Sequence, residues 1–222
     1  KTGTLTQNKM RVEFLHLFTT ESNALDDSEN SKIFTESIAA NTTAQIGYNA
    51  EGKESVLGNP TEGALLNFLR SHSIDYAPLR EKATLVKQLT FTTQRKYMAT
   101  LVTSAVTGKR ILYMKGAPEI IMSHSKSVIT TDGEQPMSKV KPEIDEHLIS
   151  FQSKAMRTLA FAMVEVADND NRDLEEIIAT DKVKFMGFVA ISDPVRDDVP
   201  AAVKRCLDAG VGVKIVTGDT FA

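Results

Sequence analysis

Apolar positions along the chain switch between the spacing of helices and that of strands, and the switches mark out the elements. After residue 31, Ile33, Phe34, Ile38 and Ala39 fall on one helical face. Asn59-Pro60-Thr61-Glu62 reads as a helix start. Asn59 caps it, Pro60 suits the first helical position, and Glu62 closes a capping box three residues on. The helix then buries Ala64, Leu65, Phe68 and Leu69. Two β-rich runs, Tyr97 to Val106 and Arg110 to Met114, flank Thr107-Gly108-Lys109 and predict a hairpin. Pro118 starts a short helix through Ile120 and Ile121. Pro142 opens another that carries Ile144, Leu148, Phe151 and Ala155. Leu159–Val166 and Val183–Ile191 predict further strands, and the polar, acidic run 19–31 predicts a surface loop. Asp197 to Ala209 predicts an amphipathic helix with Val199, Ala202, Val203, Cys206 and Leu207 inward, ended by Gly210. Val211–Val216 follows as a buried strand.

These elements predict an α+β fold, an antiparallel sheet flanked by helices. The tail, helix then strand with polar residues at the strand's carboxyl end, has the rhythm of a parallel α/β sheet. With 41% hydrophobic and 25% charged residues over 222 positions, a largely disordered chain is excluded. A formal charge of −3 leaves no basic excess to neutralise a phosphate backbone, so nucleic acid is not the expected partner. Cys206 is the single cysteine, which rules out an internal disulfide and a thiolate metal cluster and fits a reducing compartment. No run approaches the ~18 consecutive apolar residues of a membrane span. The chain opens on Lys1 without Met and without the apolar core of a signal peptide. We read it as a piece of something longer, so a missing membrane segment says nothing about a parent.

Candidate chemistry sits on a few residues. Phe91 alone would read as a core aromatic, yet Thr92, Thr93, Gln94, Arg95 and Lys96 are polar company for a core position. Lys115 ends a strand beside Gly116, where a ligand can approach the backbone closely. Glu62 is already explained as the third residue of a capping box. Lys96 and Arg157, taken alone, read as surface charges. Thr217 and Gly218, at a strand's carboxyl end, can offer a hydroxyl and backbone donors. The four histidines show no metal-ligand spacing and read as incidental.

Five segments, in order, together resemble the P-type ATPases, the ion-pumping membrane enzymes. They are Lys1-Thr2-Gly3-Thr4-Leu5-Thr6, Phe91-Thr92-Thr93-Gln94-Arg95-Lys96, Lys115-Gly116-Ala117-Pro118-Glu119, Asp193-Pro194-Val195-Arg196 and Thr217-Gly218-Asp219. In that family the phosphorylated aspartate immediately precedes the Lys of the first segment. Gly58-Asn59-Pro60-Thr61-Glu62-Gly63-Ala64-Leu65 and the stretch Asp193 to Pro200 resemble calcium pumps of the plasma-membrane type. Thr93 departs from reticulum-type calcium pumps, which usually carry Arg there.

The resemblance implies a nucleotide-binding domain over 10–192, with haloacid-dehalogenase-like phosphorylation-domain pieces at 1–9 and 193–222. It makes Phe91 a platform for adenine, Glu62 an acceptor for its amino group, and Lys115 and Gly116 pocket wall. Lys96 and Arg157 become phosphate contacts. Lys1, Thr2, Thr217, Gly218 and Asp219 surround the phosphoryl group, with the Thr2 carbonyl on Mg2+. The implied ligands are ATP and Mg2+, and the implied partners are the remaining phosphorylation, actuator and transmembrane domains of one polypeptide. The expected location is the cytoplasmic side of an integral membrane protein, the piece itself being a soluble monomer. Because the phosphorylated aspartate precedes Lys1, the chain as given is expected to be catalytically inactive. The alternatives are a soluble haloacid-dehalogenase-type phosphatase and a non-catalytic nucleotide-binding module.

Overall fold

A computed structural model describes residues 4–20 and 24–214. In chain order the elements are β1 (Arg11–Leu17), α1 (Glu29–Ala40), β2 (Gln45–Tyr48), β3 (Glu54–Leu57), α2 (Pro60–Ser71), α3 (Tyr76–Lys82), β4 (Thr84–Leu89) and β5 (Tyr97–Thr103). Then come β6 (Arg110–Gly116), α4 (Pro118–His124), β7 (Ser127–Thr130), β8 (Gly133–Pro136), α5 (Met137–Ser153), β9 (Arg157–Val166), α6 (Leu174–Ile178), β10 (Lys184–Ser192) and α7 (Val199–Asp208).

Eight strands form one sheet in the order β4-β5-β6-β9-β10-β7-β8, with β1 also paired to β10. Strand β10 can hold both because β7 takes only its first residues, in parallel, while β1 runs antiparallel along the rest. The other pairings in this sheet are antiparallel, and β2 and β3 form a separate hairpin.

Alternation along each strand builds two cores. From β6, Ile111 and Tyr113 face α1, α2 and α3, which bring Phe34, Ile38, Leu65, Leu66 and Leu69. Leu112 and Met114 face the opposite way, toward α4, α5 and α6 with Ile121, Ile144, Phe151 and Ile177. The result is a mostly antiparallel sheet between two helical layers, the α+β class expected. Because β-strand side chains alternate with period two, a central strand with both faces covered is apolar throughout. Lys115 breaks that rule in β6, which locates a point of interest before any chemistry is considered.

Several expectations need correction. Helix α5 begins at Met137, not at Pro142, which lies inside it. An interior proline costs a helix about 3 kcal/mol. Buried Met137 and the packing of Val140 on the core extend the helix backward across it. Ala155 lies beyond the helix end, at a positive φ of 54°. Phe68 on α2 is only half-buried, whereas Leu66 is fully buried. The hairpin's first strand stops at Thr103, because the Ser104 hydroxyl accepts from the Val106 and Thr107 amides and turns the chain.

Residues 211–214 form no strand and are exposed, and Ile215 and Val216 lie outside the described residues. On α7, Val199, Ala202 and Val203 are half-buried, while Cys206 and Leu207 stand in solvent. An amphipathic pattern specifies which face seeks cover, not what covers it, and among the described residues nothing does so fully. The rings of His16 and His147, both read as incidental from the sequence, lie 5.5 Å apart and tilted by 45°.

Candidate functional site

Register brings the candidate residues to one end of the sheet. Tyr97 at the start of β5 pairs with Gly116 at the end of β6. Gly116 pairs with Ala160 near the start of β9, and Arg157 pairs with Ile191 near the end of β10. The Phe91–Lys96 loop closes β4 onto β5 at this same end. Here too the chain enters and leaves. Gln7 N–H donates to the Pro194 carbonyl, Arg196 N–H to the Leu5 carbonyl, and the Thr6 hydroxyl to Asp193 at 2.6 Å.

Beneath that end lies a buried ion pair. Lys115 is 5% exposed and its Nζ sits 2.6 Å from Glu62 Oε1. It also donates to the Asn41 carbonyl. Both of its partners are acceptors, and the carboxylate among them favours the charged ammonium. Glu62 Oε2 accepts from the Thr43 amide at 2.9 Å, the Thr43 hydroxyl at 2.8 Å and the Ala44 amide at 3.1 Å. Burial pushes the Glu62 carboxyl up, but the Lys115 charge and the bonds from Lys115 and Thr43 outweigh it and hold it below its usual value. Burial pushes Lys115 down, partly offset by Glu62.

The neighbouring polar groups stitch the same loop. Arg80 donates to the Ala39 and Ala44 carbonyls, and the Thr100 hydroxyl donates to the Asn41 side chain at 2.7 Å. Residues 41–44, which follow α1, are thereby fixed against α2 and the sheet.

Glu62 therefore does not close the expected capping box. Asn59 does cap α2, accepting from the Thr61 amide at 2.8 Å. The Glu62 side chain turns instead to Lys115 and residues 43–44, because a buried ammonium rewards a carboxylate more than an exposed backbone amide does. Three donors converge on Oε2, and Lys115 takes Oε1.

Phe91 is 54% exposed on the loop before β5. In the same loop the Lys96 amide donates to the Thr92 carbonyl, and Lys96 takes a positive φ of 58°. Its ammonium reaches Glu119 at 3.7 Å. Arg95 is tied down by the Thr90 carbonyl and Glu175 and lies over the Tyr97 ring. Arg157 donates to the Thr61 hydroxyl at 2.6 Å, joining β9 to the first turn of α2.

Gly116 has a packing reason of its own. A Cβ there would meet the Lys96 carbonyl oxygen at 2.5 Å and Tyr97 Cβ at 2.6 Å. The space is filled by residues 96–97, so strand packing by itself requires glycine here.

This end thus presents an exposed aromatic face, cations at its rim and a buried, charge-neutralised floor. That combination can stack a planar ring and meet an anionic group without burying unpaired charge. Lys1, Thr2, Thr217, Gly218 and Asp219 lie outside the described residues. Sequence reading missed Asn41, Thr43, Ala44, Arg80 and Thr100, whose contacts span long sequence separations and leave no local pattern.

A family model described as "P-type ATPase, cytoplasmic domain N" matches residues 29–198. Among curated relatives, the chain is 35% identical over 229 residues to the calcium-transporting ATPase PAT1 of Dictyostelium discoideum, covering 100% of this chain and 20% of that protein. It is 35% identical over 236 residues to the probable calcium-transporting ATPase 9, plasma membrane-type, of Oryza sativa subsp. japonica, covering 100% and 22%. It is 31% identical over 240 residues to the calcium-transporting ATPase 1 of Saccharomyces cerevisiae, covering 99% and 25%. The chain thus spans between a fifth and a quarter of the length of these relatives. Among the described residues, no helix is long and apolar enough to cross a membrane.

Proposed function

The chain belongs to the P-type ATPase family through its cytoplasmic N domain, and from that premise we propose that it is the ATP-binding unit of a cation pump whose cargo is calcium. Phe91 carries the reading. A large aromatic left 54% exposed on an otherwise polar loop, at the sheet end where Lys96 and Arg157 also lie, suits an adenine ring.

In this reading Phe91 stacks on the base and the Lys96 ammonium reaches the phosphates. Arg157 first anchors the α2 turn through Thr61 and adds a cation at the rim. Lys115 forms the floor of the pocket, its alkyl stem along the base, with Glu62 holding it in place. Glu62 is a positioning residue here, since its carboxylate holds Lys115 on one oxygen and residues 43 and 44 on the other.

We assign residues 10–192 to the nucleotide-binding domain, and 1–9 and 193–222 to a phosphorylation domain. Lys1, Thr2, Thr217, Gly218 and Asp219 would there face the phosphoryl group and Mg2+. The parent enzyme would couple ATP hydrolysis, through an aspartyl phosphate, to calcium movement across a membrane, with this unit on the cytoplasmic side beside actuator and transmembrane domains. The calcium inference rests on the names of the relatives.

Displacement of a fluorescent ATP analogue by ATP tests the pocket. Phe91→Ala should weaken ATP binding by about 1–3 kcal/mol, the value of one base–aromatic stack. Stability should stay within about 0.5 kcal/mol, because so exposed a ring buries little. Unchanged ATP affinity in this variant would remove Phe91 from the site.

A further inference from the structure

We propose that His16, Glu143 and His147 form a binding site for a divalent metal of the zinc class, on the face of the sheet opposite the Lys115–Glu62 pair. Glu143 and His147 are four residues apart on α5 and so share one helical face. Strand β1 brings His16 to them from the far end of the sequence. One ligand atom from each of the three lies within 4.8 Å of the others. His16 Nε2 and Glu143 Oε1 are already 3.3 Å apart. Two ligands at ~2.0–2.1 Å from a tetrahedral zinc lie ~3.4 Å apart, so that pair stands at ligand spacing. The rest of the set closes through side-chain movements of about 1.4 Å at most.

The donor set selects the metal. Two imidazoles and a carboxylate, with a fourth position left for water, make an open zinc site. Calcium and magnesium prefer oxygen-only shells and are disfavoured. The surroundings are apolar: His16 lies 4.4 Å from the Phe18 ring and 5.3 Å from Phe188, and His147 lies 5.4 Å from Phe14. Within that apolar company the His16 ring turns its Nε2 to Glu143, the edge from which an ion would be reached. Glu143 stands in solvent and opens a path for a hydrated ion. A bound ion would clamp α5 to β1.

The test titrates zinc alone into the 222-residue chain, reading stoichiometry by competition with a chromogenic chelator and geometry by the visible absorption of cobalt. The wild type should take up one equivalent, show tetrahedral cobalt bands and melt higher with zinc. Excess calcium should not displace the ion. Glu143→Gln and His147→Ala, both at the solvent edge, should each weaken zinc binding about tenfold or more, since even outer-shell losses cost that much. His16→Phe, which keeps the ring packing, should do the same. The double variant His72→Ala/His124→Ala should bind like wild type. Absence of stoichiometric uptake, or uptake that survives Glu143→Gln and His147→Ala together, or uptake lost equally in the His72/His124 variant, would overturn the site.

Discussion

Replacing Lys115 by Met tests whether the buried ion pair organises the candidate site. The change keeps the length of the side chain and deletes the charge, leaving Glu62 facing an apolar group at 7% exposure. Breaking a buried pair by removing one partner costs about 3–5 kcal/mol. Three donors from Thr43 and Ala44 remain on the carboxylate and favour the lower end of that range. The Asn41 carbonyl also loses its donor, worth about 1 kcal/mol. Met fills much the same volume, so no cavity is added. The expected loss is about 4 kcal/mol, and with ~2–4 °C per kcal/mol for a chain of this size the midpoint should fall by about 8–16 °C. Urea unfolding with parallel thermal scans measures both. Lys115→Met/Glu62→Gln removes both charges and should lose less than the sum of the single variants by about 1 kcal/mol or more. A loss under about 1 kcal/mol for Lys115→Met would mean that the pair behaves as a solvated one. Strict additivity in the double variant would refute the coupling outright.

Gly116→Ala should destabilise the fold by about 1–3 kcal/mol in urea, because its Cβ would press on the Lys96 carbonyl oxygen at 2.5 Å. It should also displace the Phe91 loop, read as amide shifts across residues 91–97. Glu62 is held below its usual value of about 4.5, so as pH falls the unfolded chain takes up a proton first. Its contribution to stability is therefore whole above about pH 4.5 and is lost as pH falls from there through the folded value. Stability measured from pH 7 down to acid should fall more steeply in wild type than in Glu62→Gln; identical slopes would contradict the assignment.

How much was legible in the sequence depended on whether the signal was local. The faces of α1 and α2, the β5–β6 hairpin and the strands β9 and β10 follow from periodicity, because each buries its own apolar residues against a continuous core. Phe91 stood out because its neighbours are polar, and it is exposed. The strands β1 and β4 were not anticipated, since edge strands carry a half-exposed, mixed pattern. Nor was the β2–β3 hairpin. Glu62 satisfied a local capping rule that the fold does not use, because its partner Lys115 comes from a distant strand. The meeting of His16 with α5 is likewise a product of topology, which no spacing along the chain encodes.

Nucleotide binding at the sheet end of Phe91, Lys96 and Gly116 is the central claim, and amide NMR of the labelled chain during titration with ATP tests it most directly. Binding in the millimolar range, about −4 kcal/mol, is expected from one aromatic platform and a few rim cations. The account predicts saturable shifts concentrated at residues 91–96, at Lys115 and Gly116, and around Thr61 and Arg157, with the α5 surface unmoved. Saturable shifts elsewhere that leave Phe91, Lys115 and Gly116 untouched, or the absence of any saturable shift up to 10 mM ATP (about −2.7 kcal/mol), would contradict it.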